Sequence, residues 1–310
     1  MLETSKLIGY FNELSKISQD GNIIYSPTST RTVLQMYKYI HRTEEFDDLL
    51  KSDYIQFDGS RGNAKYINRI WANEKYEISV PTQLVQYLHI IDMSNSSLAT
   101  REKNLYVADQ TNYFLAGTPS VLSDDIAYDL MNITYFKDVW KKEGGFRLNP
   151  EDIRFCNIDG TKIEVKNFIA FTKDVYENDT CYALPLTYKY NNKFWLIYPK
   201  HHIREVDLTN LMWIEAEAIM YIPEFEQKND FLLNKIFNIN TDSSMSQTAK
   251  IKVDHEGTEA VAVTEMRVKG CIMRKETPQR LELTFDRPFM YAIEDIWNKD
   301  FIFIGRKEQF

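Results

Sequence analysis

The stretch Glu256-Gly257-Thr258-Glu259-Ala260-Val261-Ala262-Val263-Thr264-Glu265 constrains this chain more than any other. Strand side chains alternate between two faces. Counted by twos from Thr258, one face reads Thr258, Ala260, Ala262, Thr264, Met266, Val268, Gly270, small or apolar throughout. The other reads Glu259, Val261, Val263, Glu265, Arg267, Lys269, mostly charged. The segment is patterned to lie in a sheet with its small face on a core. Yet Gly257 punctuates one end, and Gly270 and Pro278 break the other, as in a loop. A strand-competent segment flanked like a loop reads as a loop that can become a strand.

The 310 residues suffice for one large domain or two ordinary ones. With no repeats, low-complexity tracts or Pro/Gly/Ser-rich linker, a single compact domain over 1–310 is the simplest reading. A net charge of −8 and the lack of a long basic run disfavour a nucleic-acid partner. No run of about 18 apolar residues occurs, so no membrane span is expected. Cys156, Cys181 and Cys271 show no CxxC spacing, which argues against a disulfide framework or a zinc site and fits a reducing compartment. The N-terminus has no signal-like apolar core, so a cytoplasmic protein is expected.

Elements follow from period and punctuation. Ser26 is placed to cap a helix from Pro27 to about Ile40, after a short strand at Ile23–Tyr25. Residues 4–16, 81–90, 107–114 and 231–237 read as helical, and 67–71 and 128–140 as strands. Residues 154–171 read as a hairpin turning at Asp159-Gly160. Strands are further expected at 181–186, 194–198, 215–226, 250–253, 281–285, 290–293 and 301–304. Helices first and strands after make an α+β layout with a large antiparallel or mixed sheet.

The hinge-like stretch, the later Arg287-Pro288-Phe289 and the Phe303-Ile304-Gly305-Arg306 ending together resemble the serpins. So do Asn22 to Ser29, Asn68-Arg69-Ile70-Trp71, Met131-Asn132 through Val139-Trp140, Leu184-Pro185-Leu186 and Ile222-Pro223-Glu224-Phe225. The resemblance implies an α+β, single-domain serpin fold with a large central β-sheet, two further sheets, several helices and an exposed reactive loop at about 256–286. Its hinge would comprise Glu256, Gly257, Thr258, Glu259, Ala260, Ala262 and Thr264. Ser26, Ser29, Asn132, Trp140 and Gln247 would line the region that opens to admit the loop. Gln247 stands where the family often has a histidine, and it can also donate and accept. The segment between Leu50 and Ala64 is too brief for the family's usual helices, and that trimmed N-terminal helical region is most like the intracellular poxvirus serpins.

The resemblance further implies a loop that a host serine or cysteine protease cleaves, followed by insertion of the cut strand and trapping of the covalent acyl-enzyme. The residue before the scissile bond usually lies fourteen after the hinge glycine. That position is Cys271, followed by Ile272; Arg274 and Lys275 are the next candidates. About fourteen inserted residues at roughly 3.3 Å each would carry the cut end about 46 Å. No cofactor or metal is implied, and the inhibitor is expected to be a monomer.

Plainer readings stand beside this one. His201-His202 would point apart in a strand or loop, a poor metal motif. Cys181 and Cys271 lack a nucleophile elbow, so an enzyme is disfavoured. The hinge-like strand is also compatible with a static central strand, and a serpin-fold protein that binds a host partner without trapping a protease is the alternative function.

Overall fold

A computed structural model describes residues 9, 21–44, 50, 59–61, 63–142, 145–234, 245–257 and 279–310. The helix read over 4–16 and most of the expected hinge and reactive loop lie outside the described residues. Along the chain run strand β1 (Ile23–Tyr25), helix α1 (Pro27–His41), β2 (Gly59–Arg61), β3 (Ala64–Asn73), a 3-10 turn (Thr82–Tyr87) and β4 (Leu88–Ile91). Then come helix α2 (Ser96–Gln110), β5 (Tyr128–Phe136), β6 (Arg147–Leu148), β7 (Ile153–Cys156), β8 (Lys162–Val165) and β9 (Asn167–Glu177). The remainder is β10 (Cys181–Thr187), β11 (Lys193–Pro199), β12 (Met212–Pro223), β13 (Phe225–Leu232), β14 (Ser246–Val253), β15 (Gln279–Thr284), β16 (Phe289–Asp295) and β17 (Asp300–Lys307).

These elements gather in two compact units, neither continuous in sequence. One comprises Met1–Ile24, Lys137–Gln227 and Ile251–Phe310; the other comprises Tyr25–Phe136 and Lys228–Lys250. The first holds a nine-stranded sheet of order β1-β17-β16-β11-β10-β9-β12-β15, with β6 on β9. Its central strands read as apolar runs because both faces are covered: Phe194 to Ile197 and Phe289 to Ile293 are all buried. The β7–β8 hairpin turns at Gly160, whose φ of +86° suits a residue without Cβ.

In the second unit β3 is central, antiparallel to β2 and β5 and parallel to β4. Its alternation serves two cores. Ile67 and Trp71 pack with Ala99, Val107, Met131 and Ile133, whereas Ile70 packs with Met36, Leu84 and Tyr87. Helix α1 starts as expected: Ser26 Oγ accepts the Ser29 N–H at 3.3 Å, and Pro27 fills the first turn. It ends at Arg42, which takes a left-handed φ of +51°.

Four local readings are corrected. The helix expected over 81–90 is one 3-10 turn followed by β4, because Leu88 to Ile91 pair with β3. The helix read at 107–114 is the end of α2, which begins far earlier, where Asn95 Oδ1 accepts the Leu98 N–H. It stops where Thr111 Oγ1 bonds back to the Val107 carbonyl and Asn112 and Tyr113 turn left-handed. The hairpin read to 171 ends at Val165, and β9 is a separate strand. The strand read over 215–226 is two, broken at Glu224 after Pro223; β13 then extends to Leu232, into the segment read as helix.

Candidate functional site: a seated glycine and two strands tied to one helix start

In the first unit, β14 ends in a tight turn from Asp254 to Gly257. Asp254 and Gly257 exchange backbone hydrogen bonds at 3.3 Å each. Gly257 also bridges Val139 in antiparallel fashion, with Trp140 N–H donating to the Glu256 carbonyl at 3.4 Å. Gly257 therefore makes two antiparallel bridges outside the named strands, one closing its own turn at Asp254 and one reaching across to Val139. Its φ is +118°, and a Cβ there would stand 2.5 Å from Val139 Cα and 2.7 Å from the Asp138 carbonyl oxygen. Only glycine fits.

Trp140 holds this seat. Its Nε1–H donates to the Asp254 carbonyl at 2.8 Å. The indole stacks between Tyr188, 4.6 Å away, and Phe146, 5.0 Å away, and is buried. Burial leaves one polar atom to satisfy, and the hinge turn satisfies it. On the far side of Val139, its carbonyl accepts the Lys189 N–H at 2.8 Å. Asp138 fixes the bend: its Oδ1 accepts from Val139 N–H and its Oδ2 from Tyr190 N–H.

In the second unit the expected opening residues gather over the start of α1. Gln247, on β14, donates from Nε2 to the Ser26 carbonyl at 2.9 Å and to Thr30 Oγ1 at 3.0 Å. Its Oε1 accepts the Ser26 N–H at 2.8 Å. Asn132, on β5, donates to Asn68 Oδ1 at 2.9 Å, and its carbonyl accepts from Ser29 Oγ at 3.3 Å. Thus β5 and β14 are tied to the same helix start. Yet among the described residues β5 pairs with β3 and β14 with β13, never with each other. Among the described residues each is hydrogen-bonded to one neighbouring strand, and a sheet edge of that kind can accept an added strand.

Gly257 and Trp140 thus come together, as do Ser26, Ser29, Asn132 and Gln247. Glu256 is exposed beside them. Thr258, Glu259, Ala260, Ala262, Thr264, Cys271, Ile272, Arg274 and Lys275 lie outside the described residues. Sequence reading missed Asp254, Val139 and the pair Glu224–His255, which meets at 2.7 Å beside the hinge turn. The adjacency of Asp254 and His255 to Gly257 was the available signal. Cys181 is fully buried, and burial pushes its thiol up to about 11, so it is a poor nucleophile at neutral pH. His202 caps the Ile203–Glu205 turn, its Nδ1 accepting from Arg204 N–H. No cluster of three metal-ligating side chains occurs among the described residues, and no helix there is long and apolar enough to cross a membrane.

A crystal structure of human thyroxine-binding globulin superposes with a TM-score of 0.76 at 16% identity, covering 98% of each chain. The fold is the serpin fold. The serpin family model, described as serine protease inhibitor, matches residues 224–309, from the β12–β13 break to the last strands. Relatives support the serpin family over nearly the whole length. Leukocyte elastase inhibitor A of Rattus norvegicus is 22% identical, covering 96% of this chain and 95% of its own. Probable serine proteinase inhibitor 1 of swinepox virus (strain Kasza) is 23% identical over 94% of this chain and 97% of its own. In this serpin fold, the Gly257 seat and the strands β5 and β14 over the start of α1 are the candidate machinery.

Proposed function

We propose that this chain is a suicide-type inhibitor of host serine or cysteine proteases, acting as a single-domain monomer in the host cytoplasm on behalf of a virus. Its reactive loop is the 256–286 segment. The protease cuts it at Cys271–Ile272 or, failing that, at Arg274–Lys275, and stays attached as the acyl-enzyme. The freed strand then inserts between β5 and β14. The carrying observation is the seating of Gly257 between Val139 and Asp254, antiparallel to both. A strand propagated from that rung presents Thr258, Ala260, Ala262 and Thr264 on one face, small enough to cover a core. Deacylation needs the nucleophile and oxyanion hole in register, and dragging the enzyme by the inserted strand removes it. The similarity to the swinepox protein and the brief segment between Leu50 and Ala64 support the viral setting.

A partner-binding, non-trapping role is the second reading, favoured by the superposition with thyroxine-binding globulin. Thermal melting of the chain before and after nicking by a protease panel separates the two. A trapping serpin, once nicked, melts far above the intact form, because the intact fold is kinetically held and insertion releases its strain. Equal melting, with the cut strand still open to further proteolysis, overturns the inhibitor reading. Mass spectrometry of the nicked chain locates the bond.

A further inference from the structure

Glu224 stands at the break between β12 and β13, and His255 lies within the turn that seats Gly257. His255 Nδ1 and Glu224 Oε1 are 2.7 Å apart. The same Oε1 accepts the His255 backbone N–H at 3.2 Å. Glu224 is itself tethered, its N–H donating to the Lys166 carbonyl at 2.8 Å. The four-residue turn is therefore held from three directions: by the Trp140 indole at the Asp254 carbonyl, by Val139 at Gly257, and by Glu224 at His255.

Of these ties only the third depends on a proton. A neutral imidazole donates from Nδ1 in one tautomer alone, whereas the imidazolium always donates there and adds charge. Histidine exchanges that proton in the physiological range. Nearby charges are otherwise engaged or exposed. Asp254 Oδ2 pairs with Lys252 at 3.1 Å, and its Oδ1 accepts the Glu256 N–H. Asp138 is committed to Val139 and Tyr190 N–H. Glu256 is exposed, and Lys166 meets the pair through its backbone carbonyl.

We propose that Glu224 and His255 form a proton-dependent latch that keeps the hinge turn closed with Gly257 seated, so that both are positioning residues for strand insertion. This deepens the inhibitor reading and rests on it. With the latch closed the first rung exists before cleavage, and insertion begins by lengthening a ladder. With the latch open that rung must form while the acyl-enzyme is free to hydrolyse.

Hydrogen exchange of the intact chain tests the latch without any protease. At about pH 5.5 and about pH 8, with intrinsic rates divided out, amides from Asp254 to Gly257 in the parent should differ about tenfold in protection, higher in acid. Glu224→Gln keeps the side chain's shape and an acceptor but removes the charge; it should show the low protection at both values. His255→Lys keeps a cation at both and should show the high protection throughout. Unchanged protection in Glu224→Gln, or a parental pH response in His255→Lys, overturns the latch. Neither result touches the melting comparison of nicked and intact chains, so the two readings fail separately.

Discussion

Gln247 and Ser26, separated by 221 positions, exchange two hydrogen bonds in a buried setting: Ser26 N–H to Gln247 Oε1 at 2.8 Å, and Gln247 Nε2 to the Ser26 carbonyl at 2.9 Å. One side chain thus occupies both backbone groups of the residue that caps α1.

Gln247→Ala should destabilise the chain by about 2–4 kcal/mol. It removes three hydrogen bonds, each with a net worth of about 1 kcal/mol, and takes the Gln247 Oε1 acceptor away from the buried Ser26 N–H. Gln247→Leu, which restores volume but no polar atom, should do no better. Urea midpoints at constant m-value measure both; a loss below about 0.5 kcal/mol in Gln247→Ala would mean the bonds carry nothing.

Gly257→Ala should cost about 1–3 kcal/mol and unseat the hinge. The new methyl meets Val139 Cα and Trp140 N, backbone atoms that cannot swing aside, at a φ foreign to alanine. Exchange of the Trp140 indole N–H reports the unseating, since that proton is bonded to Asp254 only while the turn is closed. An unaltered indole rate together with parental stability would contradict the seat.

Thr258→Arg should convert inhibitor to substrate. In the insertion proposed above, residue 258 falls on the small face of the inserted strand, where an unpaired guanidinium would carry a large desolvation cost. The variant should be cleaved at the parental rate yet form no protease complex that survives SDS. Surviving complexes count against insertion.

Lys307 should create a rise in stability on the alkaline side. It is 4% exposed, with its ammonium 4.0 Å from the Phe310 ring centroid, and burial lowers its pKa from 10.5 to about 8. Between those values the unfolded chain binds more protons than the folded one, so unfolding free energy increases with pH. Below about 8 the full cost of burying the charge applies. Against Lys307→Met, which has no such window, the parent should gain on the order of 3 kcal/mol from about pH 8 to about pH 10.5. Paired urea titrations across that range measure the difference, and a flat one refutes the assignment.

Where structure followed local rules, it was readable in the chain. Ser26 followed by Pro27 announced the start of α1, and Asp159-Gly160 the tip of the β7–β8 hairpin, because caps and turns depend on a few adjacent residues. The closing strands β16 and β17 announced themselves as apolar runs. Helix α2 was misplaced because its outward face carries Leu98 and Leu105, both exposed, which blurs the apolar stripe. The break at Glu224 was missed because Pro223 still fits as the last residue of β12, opposite Asn167.

The chain by itself determined that Gly257 punctuates a strand-competent segment and that the residues beyond it can cover a core with one small face, since both properties are local: a residue type and a period of two. Only the tertiary structure decided what the pivot rests on. Val139, Trp140, Glu224 and Gln247 reach their partners across more than thirty to more than two hundred positions. Such encounters are set by how sheets and helices pack, and hydrogen bonds between distant side chains leave no period or spacing in the sequence.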